Sequence, residues 1–292
     1  MAIELRWRTV AAHPWETVAQ LLADVDGDEL PIGRAAAADL SARAMAWDID
    51  GNVSVAATGP GGALAAVGLL GRREERGWIG ALAVAPAWRG RGVGRALLGR
   101  LIAVADVLSL STLTTEVSCD NAPALALFAA AGFADERELL TWERPPEMGL
   151  LPVPDGKAER VDPVTLMADW AAWHTARPRW QGEWCSLQAG LADCRGWQMR
   201  EGAEVVAYAL TRSCGTDLVV VDVGVAPGKD ARGTARPLLQ ALQLLHGDRR
   251  LVVVPWPAED PLSRVLAALG FRVALRRREL MRRREGPPRL LA

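Results

Sequence analysis

Residues 89–95 read R-G-R-G-V-G-R and set three glycines, Gly90, Gly92 and Gly94, among three arginines, Arg89, Arg91 and Arg95. Apolar residues in helical spacing follow at once. The amides of a helix's first turn have no intrahelical partners, and the helix dipole is positive there. Glycines remove Cβ atoms, so an anion can come close to those amides. Guanidinium groups add charge-assisted contacts. The stretch therefore points to a bound pyrophosphate. Two other phosphate loops do not fit. A Walker loop ends in Gly-Lys-Ser/Thr, which is absent, and the dinucleotide fingerprint needs glycine where Arg95 stands. What remains is R-x-x-G-x-G between a strand ended by Pro86 and a long helix.

The elements that must carry this loop follow from the pattern of the first half. It predicts a strand over 4–10, a helix opening near Pro14, a second helix over 34–46, and strands over 53–58 and 63–70 joined by Gly-Pro-Gly-Gly. A strand over 78–85 precedes the glycine stretch, whose helix runs to about Val107. Residues 112–117 are strand-like, 122–131 helical, and a last strand covers 137–143.

The second half repeats parts of the first. D-V-G-V-A-P-G-K-D-A-R-G-T-A-R-P-L-L-Q-A-L (222–242) aligns with A-L-A-V-A-P-A-W-R-G-R-G-V-G-R-A-L-L-G-R-L (81–101) at an offset of 141, and A-A-L-G-F (267–271) answers A-A-A-G-F (129–133) at 138. R-E-L at 278–280 answers R-E-L at 137–139. Three matches in one order indicate an internal duplication with repeats of about 140 residues. The join falls in 144–163, where five prolines interrupt any periodic pattern. An early strand and helix of the second copy are expected over 158–176, and residues 177–200 carry no assignable pattern.

Composition bounds the function. The 292 residues carry a net charge of −1, which argues against a surface devoted to nucleic acid. The four cysteines, Cys119, Cys185, Cys194 and Cys214, lack metal-ligand or disulfide spacing, as expected of reduced intracellular thiols. A secretory signal is missing at the start, and no apolar run approaches a membrane span. The expected protein is cytoplasmic, metal-free and without membrane partners.

The loop and its surroundings resemble the GCN5-related N-acetyltransferase (GNAT) superfamily, which uses acetyl-CoA. The resemblance rests on L-A-V-A-P (82–86), R-G-R-G-V-G-R (89–95), E-V-x-x-x-N (116–121) and A-L-x-L-F-x-x-x-G-F (124–133). It implies an α/β fold of two tandem GNAT-like domains, each a splayed mixed sheet flanked by helices. A first domain over 1–145 would keep the acetyl-CoA motif, 146–160 would be a linker, and a degenerate domain would fill 161–292. The fourth and fifth strands would part to admit the pantetheine arm, held by the backbone of Leu82, Ala83 and Val84 as an added strand would be. Gly90, Arg91, Gly92, Val93, Gly94 and Arg95, with Arg89, would hold the pyrophosphate. Asn121 would cap the following helix and touch the cofactor.

The resemblance also assigns chemistry. Glu116 matches the general base of ribosomal-protein-type acetyltransferases, and a backbone N–H near Val84 is the natural oxyanion donor. The family's tyrosine acid is replaced by Phe128, which keeps the packing and cannot give a proton. Water, Ser118 or Cys119 would have to substitute. The second copy has Asp230 for the leading arginine, and Val254, Glu259 and Leu266 at the positions of Glu116, Asn121 and Phe128. The layout is similar to tandem mycothiol-synthase-type proteins, but there the second domain is the competent one, so their substrate is not carried over.

The expected function is transfer of an acetyl group to a primary amine of a small molecule or peptide in the N-terminal domain. Its alternatives are a non-catalytic acyl-CoA sensor or a scaffold that keeps only the fold. Asp24, Asp26, Asp28 and Glu29 form an acidic wall for a cationic amine or a solvated loop. Trp170, Trp173, His174, Trp180 and Trp184 read as core or a domain seam. The arginine runs 276–278 and 282–284 read as an exposed strand face and not as a nucleic-acid surface, and a homodimer is left open.

Overall fold

A computed structural model describes residues 5–25, 37–146, 158–166 and 173–284. The chain divides into two compact units. The first holds residues 1–137 and 278–292, the second 138–277. The boundaries therefore fall within two strands and not in the proline-rich join. Each unit is a mixed sheet flanked by helices.

In the first unit the strands are β1 (Arg6–Thr9), β2 (Val55–Thr58), β3 (Leu64–Arg73), β4 (Arg76–Val84) and β5 (Thr112–Ser118). They lie in the order β1-β2-β3-β4-β5, and the final segment of a strand over Arg272–Arg283 follows β5. β1 to β4 are antiparallel, whereas β4 and β5 are parallel. The Gly-Pro-Gly-Gly turn joins β2 to β3 with Gly61 and Gly62 at φ of 90° and 84°.

Among the described residues, four α-helices cover this sheet: α1 (Trp15–Asp24), α2 (Ala37–Ala46), α3 (Val93–Val107) and α4 (Ala122–Ala130). α3 buries Val93, Leu97, Leu98, Leu101 and Ala105, one apolar stripe at helical spacing. The stripe packs close to β3, because a Cβ on Gly68 would stand 2.6 Å from the Leu101 side chain. That approach fixes where the glycine loop at the start of α3 is presented.

The second unit takes the remainder of β6 (Ala134–Arg144), then β7 (Glu159–Val161), β8 (Cys194–Glu201), β9 (Glu204–Cys214), β10 (Asp217–Val225) and β11 (Arg250–Pro257). Their order is β6-β11-β10-β9-β8-β7. Its helices are α5 (Trp184–Ala189), α6 (Ala235–Leu245) and α7 (Pro261–Ala268). β12 (Arg272–Arg283) contributes its first residues here and its last to the first unit. Residues 177–200, unassignable from sequence, form two short 3-10 turns, α5 and most of β8. Of the helix expected within 158–176, residues 163–166 form a 3-10 turn and 167–172 lie outside the described residues.

The duplication is visible in the geometry of each unit. β4 and β5 pair over four residues, ending at Ile79 and Thr115. β10 and β11 also pair over four, ending at Val220 and Val253. Directly afterwards β4 carries a bulge at Gly80, opposite Leu69 and Leu70, and β10 one at Val221. A bulge kinks its strand away from the regular pleat, and both pairs of strands separate there.

Candidate active site

The fork between β4 and β5 builds the site. Past Ile79 and Thr115 no ladder pairs join the two strands, although β4 stays paired with β3 as far as Val84. The Thr114 hydroxyl donates to the Gly77 carbonyl at 3.2 Å, and the Thr115 hydroxyl to that of Ile79 at 2.9 Å, so the fork is pinned where it opens.

Ala85 N–H donates to the carbonyl of Ala65 on the β3 side. Successive residues of an antiparallel ladder alternate in direction. Ala83 therefore faces β3, while Leu82 and Val84 turn their amide groups into the fork. An extended amide-bearing chain laid there would complete the ladder.

The fork opens into a cavity of about 480 Å3 whose lining includes Leu82, Ala83, Val84, Glu116, Asn121 and Phe128. Glu116 is the first β5 residue beyond the last pair with β4, and it is 2% exposed. Phe128 is equally enclosed, its ring edge-on to Phe133 with centroids 5.0 Å apart. Asn121 caps α4, its Oδ1 accepting the Ala124 amide at 3.1 Å.

At the other end of the cavity stands the glycine loop. Gly90 and Gly92 have φ of 70° and 79°, a left-handed conformation that glycine adopts without strain. Gly92 is the N-cap of α3 and offers no side-chain cap, so the first amides of the helix open toward the cavity lined by Gly90, Gly92, Val93 and Gly94. The arginines divide their duties. Arg89 lines the cavity and donates through Nε to the Val84 carbonyl at 3.1 Å. Arg91 lies over the Trp88 ring at 5.7 Å, and Arg95 is exposed on the first turn of α3. Neither borders the cavity. These residues fit coenzyme A, with a fork for the arm, left-handed glycines before a bare helix start, and the Arg89 guanidinium beside it.

Ser118 and Cys119, considered as substitutes for the missing tyrosine, do not line the cavity either. The Ser118 hydroxyl accepts the Asp120 amide. Thr115 does line it, a buried hydroxyl that the strand pattern did not single out. Asp24 is exposed and accepts a hydrogen bond from Gln20, whereas Asp26, Asp28 and Glu29 lie outside the described residues. Among the described residues there is no group of three metal-ligating side chains, and no helix is long and apolar enough to cross a membrane.

The fork of the second unit is filled by its own chain. His174 Nε2 lies 3.1 Å from both carboxylate oxygens of Asp222 on β10, and the Tyr208 hydroxyl donates to the same carboxylate at 2.7 Å. Burial and this neighbouring carboxylate push the Tyr208 phenol well above its ordinary value. Trp173 packs on Tyr208 at 5.5 Å, His174 lies 6.2 Å from Trp256, and Thr175 donates to Asp260. Only about 160 Å3 remains in the space these residues line. At the loop, Asp230 Oδ2 accepts the Gly233 amide at 3.1 Å, the kind of donor a phosphate would need. Trp180 is buried and Trp184 packs against the Leu187–Tyr208 cluster, while Trp170 lies outside the described residues.

Residues 17–133 match the acetyltransferase (GNAT) family. A GCN5-related N-acetyltransferase of Sphaerobacter thermophilus superposes with a TM-score of 0.71 at 18% identity, over 97% of both chains. A tandem GNAT protein from the clavulanic acid biosynthesis pathway gives 0.66 at 19% identity, over 97% of this chain and 99% of that one. An uncharacterized protein of Mycobacterium leprae is 48% identical over 52 residues, which are 18% of this chain and 14% of that protein. The segment that carries the parted strands, the glycine loop and Glu116 is thus the one that matches the acetyltransferase (GNAT) family.

Proposed function

We propose that the first unit transfers the acetyl group of acetyl-CoA to a primary amine of a small molecule or peptide, and that the second unit takes no part in binding acetyl-CoA. The observation that carries this reading is the placement of Glu116 immediately past the fork, enclosed, beside the strand edge of Leu82 and Val84.

Acetyl-CoA supplies the acetyl group as an activated thioester. Leu82 and Val84 hold the arm by main-chain hydrogen bonds, and the amides of Gly90 to Arg95 hold the diphosphate. Arg89, Arg91 and Arg95 add positive charge. Glu116 removes the proton of the attacking amine, directly or through a water. The Val84 N–H donates to the carbonyl oxygen as negative charge develops on it. Phe128 gives no proton, so the departing thiolate takes its proton from water or from the amine nitrogen.

The four cysteines are free thiols, in keeping with a cytoplasmic reaction. The test is release of free thiol from acetyl-CoA over a panel of amino sugars, polyamines and peptides. Turnover with one class of amine, lost in Glu116→Gln, supports the reading. A second reading, an acyl-CoA sensor, is favoured by the apolar Phe128 at the family's acid position. It predicts tight acetyl-CoA binding with no thiol release for any amine.

A further inference from the structure

The second unit carries a basic groove that the acetyl-transfer reading does not use. It runs between α6 and α7. One hollow, about 370 Å3, is bordered by Arg232, Arg236 and Arg264 over a floor of Val265 and Ala268. A second, about 390 Å3, shares Arg236 and Ala268 and adds Arg144, Arg249, Gln240 and Gln243. Five guanidinium groups thus face one carboxylate, Asp230, which accepts the Gly233 amide.

Several arginines of the second half are neutralised. On β11 and β12, Arg250 pairs with Asp217 and Glu143, Arg276 with Glu138, Arg278 with Asp135 and Arg283 with Glu136. Among the described residues, Arg232, Arg236 and Arg264 pair with no carboxylate. Arg249 is fixed by the carbonyls of Thr216, Gly215 and Asp217, near the Asp217 carboxylate that Arg250 already holds. Arg144 and Gln243 both donate to the Leu269 carbonyl at the end of α7, so that wall of the groove is built and not merely solvated.

Comparison of the two copies shows which part of the charge is particular to this unit: Arg232 and Arg236 answer Arg91 and Arg95, whereas Arg249 stands for Leu108. At the repeat offsets, Gln240 stands for Gly99, Gln243 for Ile102, Gly247 for Asp106 and Arg264 for Ala126. In the first unit Asp106 lies 3.7 Å from Arg282. Here the corresponding Gly247 lines the hollow and leaves it basic. Every one of these changes adds positive charge, removes negative charge, or adds an amide.

We propose that this groove binds a small polyphosphate ester of the nucleoside di- or triphosphate type. Planar guanidinium forks match phosphoryl oxygens bidentately. A groove walled by one sign of charge concentrates anions. Two glutamine amides between the arginine groups can read hydroxyl or base edges. Coenzyme A is not the fit, because Trp173, His174 and Thr175 fill the fork its arm would enter.

The test is calorimetric titration of the full chain with ATP and with inorganic tripolyphosphate, at about 0.15 M salt and saturating CoA. One saturable site, weakened tenfold or more in Arg236→Ser/Arg264→Ser and in Gly247→Asp at unchanged thermal midpoint, supports the proposal. Gly92→Val, confined to the first unit, leaves this site intact even if acetyl-CoA binding fails. Absence of saturation below about 1 mM, or affinity indifferent to both second-unit variants, overturns it. So does a single-stranded oligonucleotide that binds more tightly than ATP, which would mark a nucleic-acid surface.

Discussion

Arg89 Nε lies 3.1 Å from the carbonyl oxygen of Val84, so the first residue of the glycine loop is tied to the last residue of β4. The bond joins the two halves of the proposed cofactor site, the strand edge and the helix start. Arg89→Ala is expected to raise the KM for acetyl-CoA by about tenfold, the worth of one charge-assisted hydrogen bond. Its effect on kcat is expected to be smaller, because Arg89 lies away from Glu116. Steady-state kinetics at varied acetyl-CoA measure both.

Glu116→Gln keeps the size of the side chain and removes its basicity. Turnover is expected to fall by about 10² or more, the usual share of a general base. Acetyl-CoA affinity should stay within a few-fold of wild type. Equal loss of binding and turnover would assign Glu116 to the cavity wall and not to proton transfer.

Phe128→Tyr places a phenol where the family has its acid. The ring packs edge-on to Phe133 inside the cavity, so the added hydroxyl is expected to be tolerated. Thiol release should rise, with a new alkaline limb in the pH profile of kcat. A variant that folds and shows neither change would mean that thiolate protonation does not limit the proposed transfer.

Gly92 sits at φ 79° as the N-cap of α3. Gly92→Ala forces a left-handed alanine, at a cost of roughly 1–2 kcal/mol. The thermal midpoint and acetyl-CoA affinity should both fall. The corresponding Gly233 contributes an amide to Asp230 and no cofactor contact, so Gly233→Ala should leave acetyl-CoA affinity unchanged.

His246 is partly enclosed against Trp197, with ring centroids 5.8 Å apart, and its Nε2 is buried without a hydrogen-bond partner. Burial pushes its imidazole below the ordinary value, and Arg249 adds to the shift. The unfolded chain therefore takes up a proton near pH 6.5, where the folded chain does not. Stability of the second unit should be full above that pH and fall as pH drops below it. His246→Phe should flatten that slope in thermal unfolding scans between pH 7.5 and 5.5.

Much of the first unit was legible because its signals are local. The helix end at Val107, the turn at Gly61-Gly62 and the cap at Asn121 each follow from residues within a few positions. The parting of β4 from β5 came only through the family resemblance. Its cause, the bulge at Gly80, leaves no sequence mark besides one glycine among several. The unequal roles of the arginines were also hidden, since Arg89 bonds a carbonyl whose direction depends on strand register.

The second unit was harder to read. Its glycines survive while Asp230 takes the Gly233 amide, and its fork is filled by Trp173 and His174, which the pattern placed at the end of an early helix. The allocation of final strands could not be read at all. R-E-L occurs at both 137–139 and 278–280, so the two strands are interchangeable to any pattern argument. The arginine runs that looked like an exposed face are largely in ion pairs, with Arg277 buried.

The account stands or falls on where coenzyme A is held. A crystal structure at saturating CoA should show the diphosphate against the amides of Gly90 to Arg95, the arm along Leu82 and Val84, and the thiol beside Glu116. An empty fork between β4 and β5 under those conditions, or a nucleotide lodged beside Gly233, would contradict it.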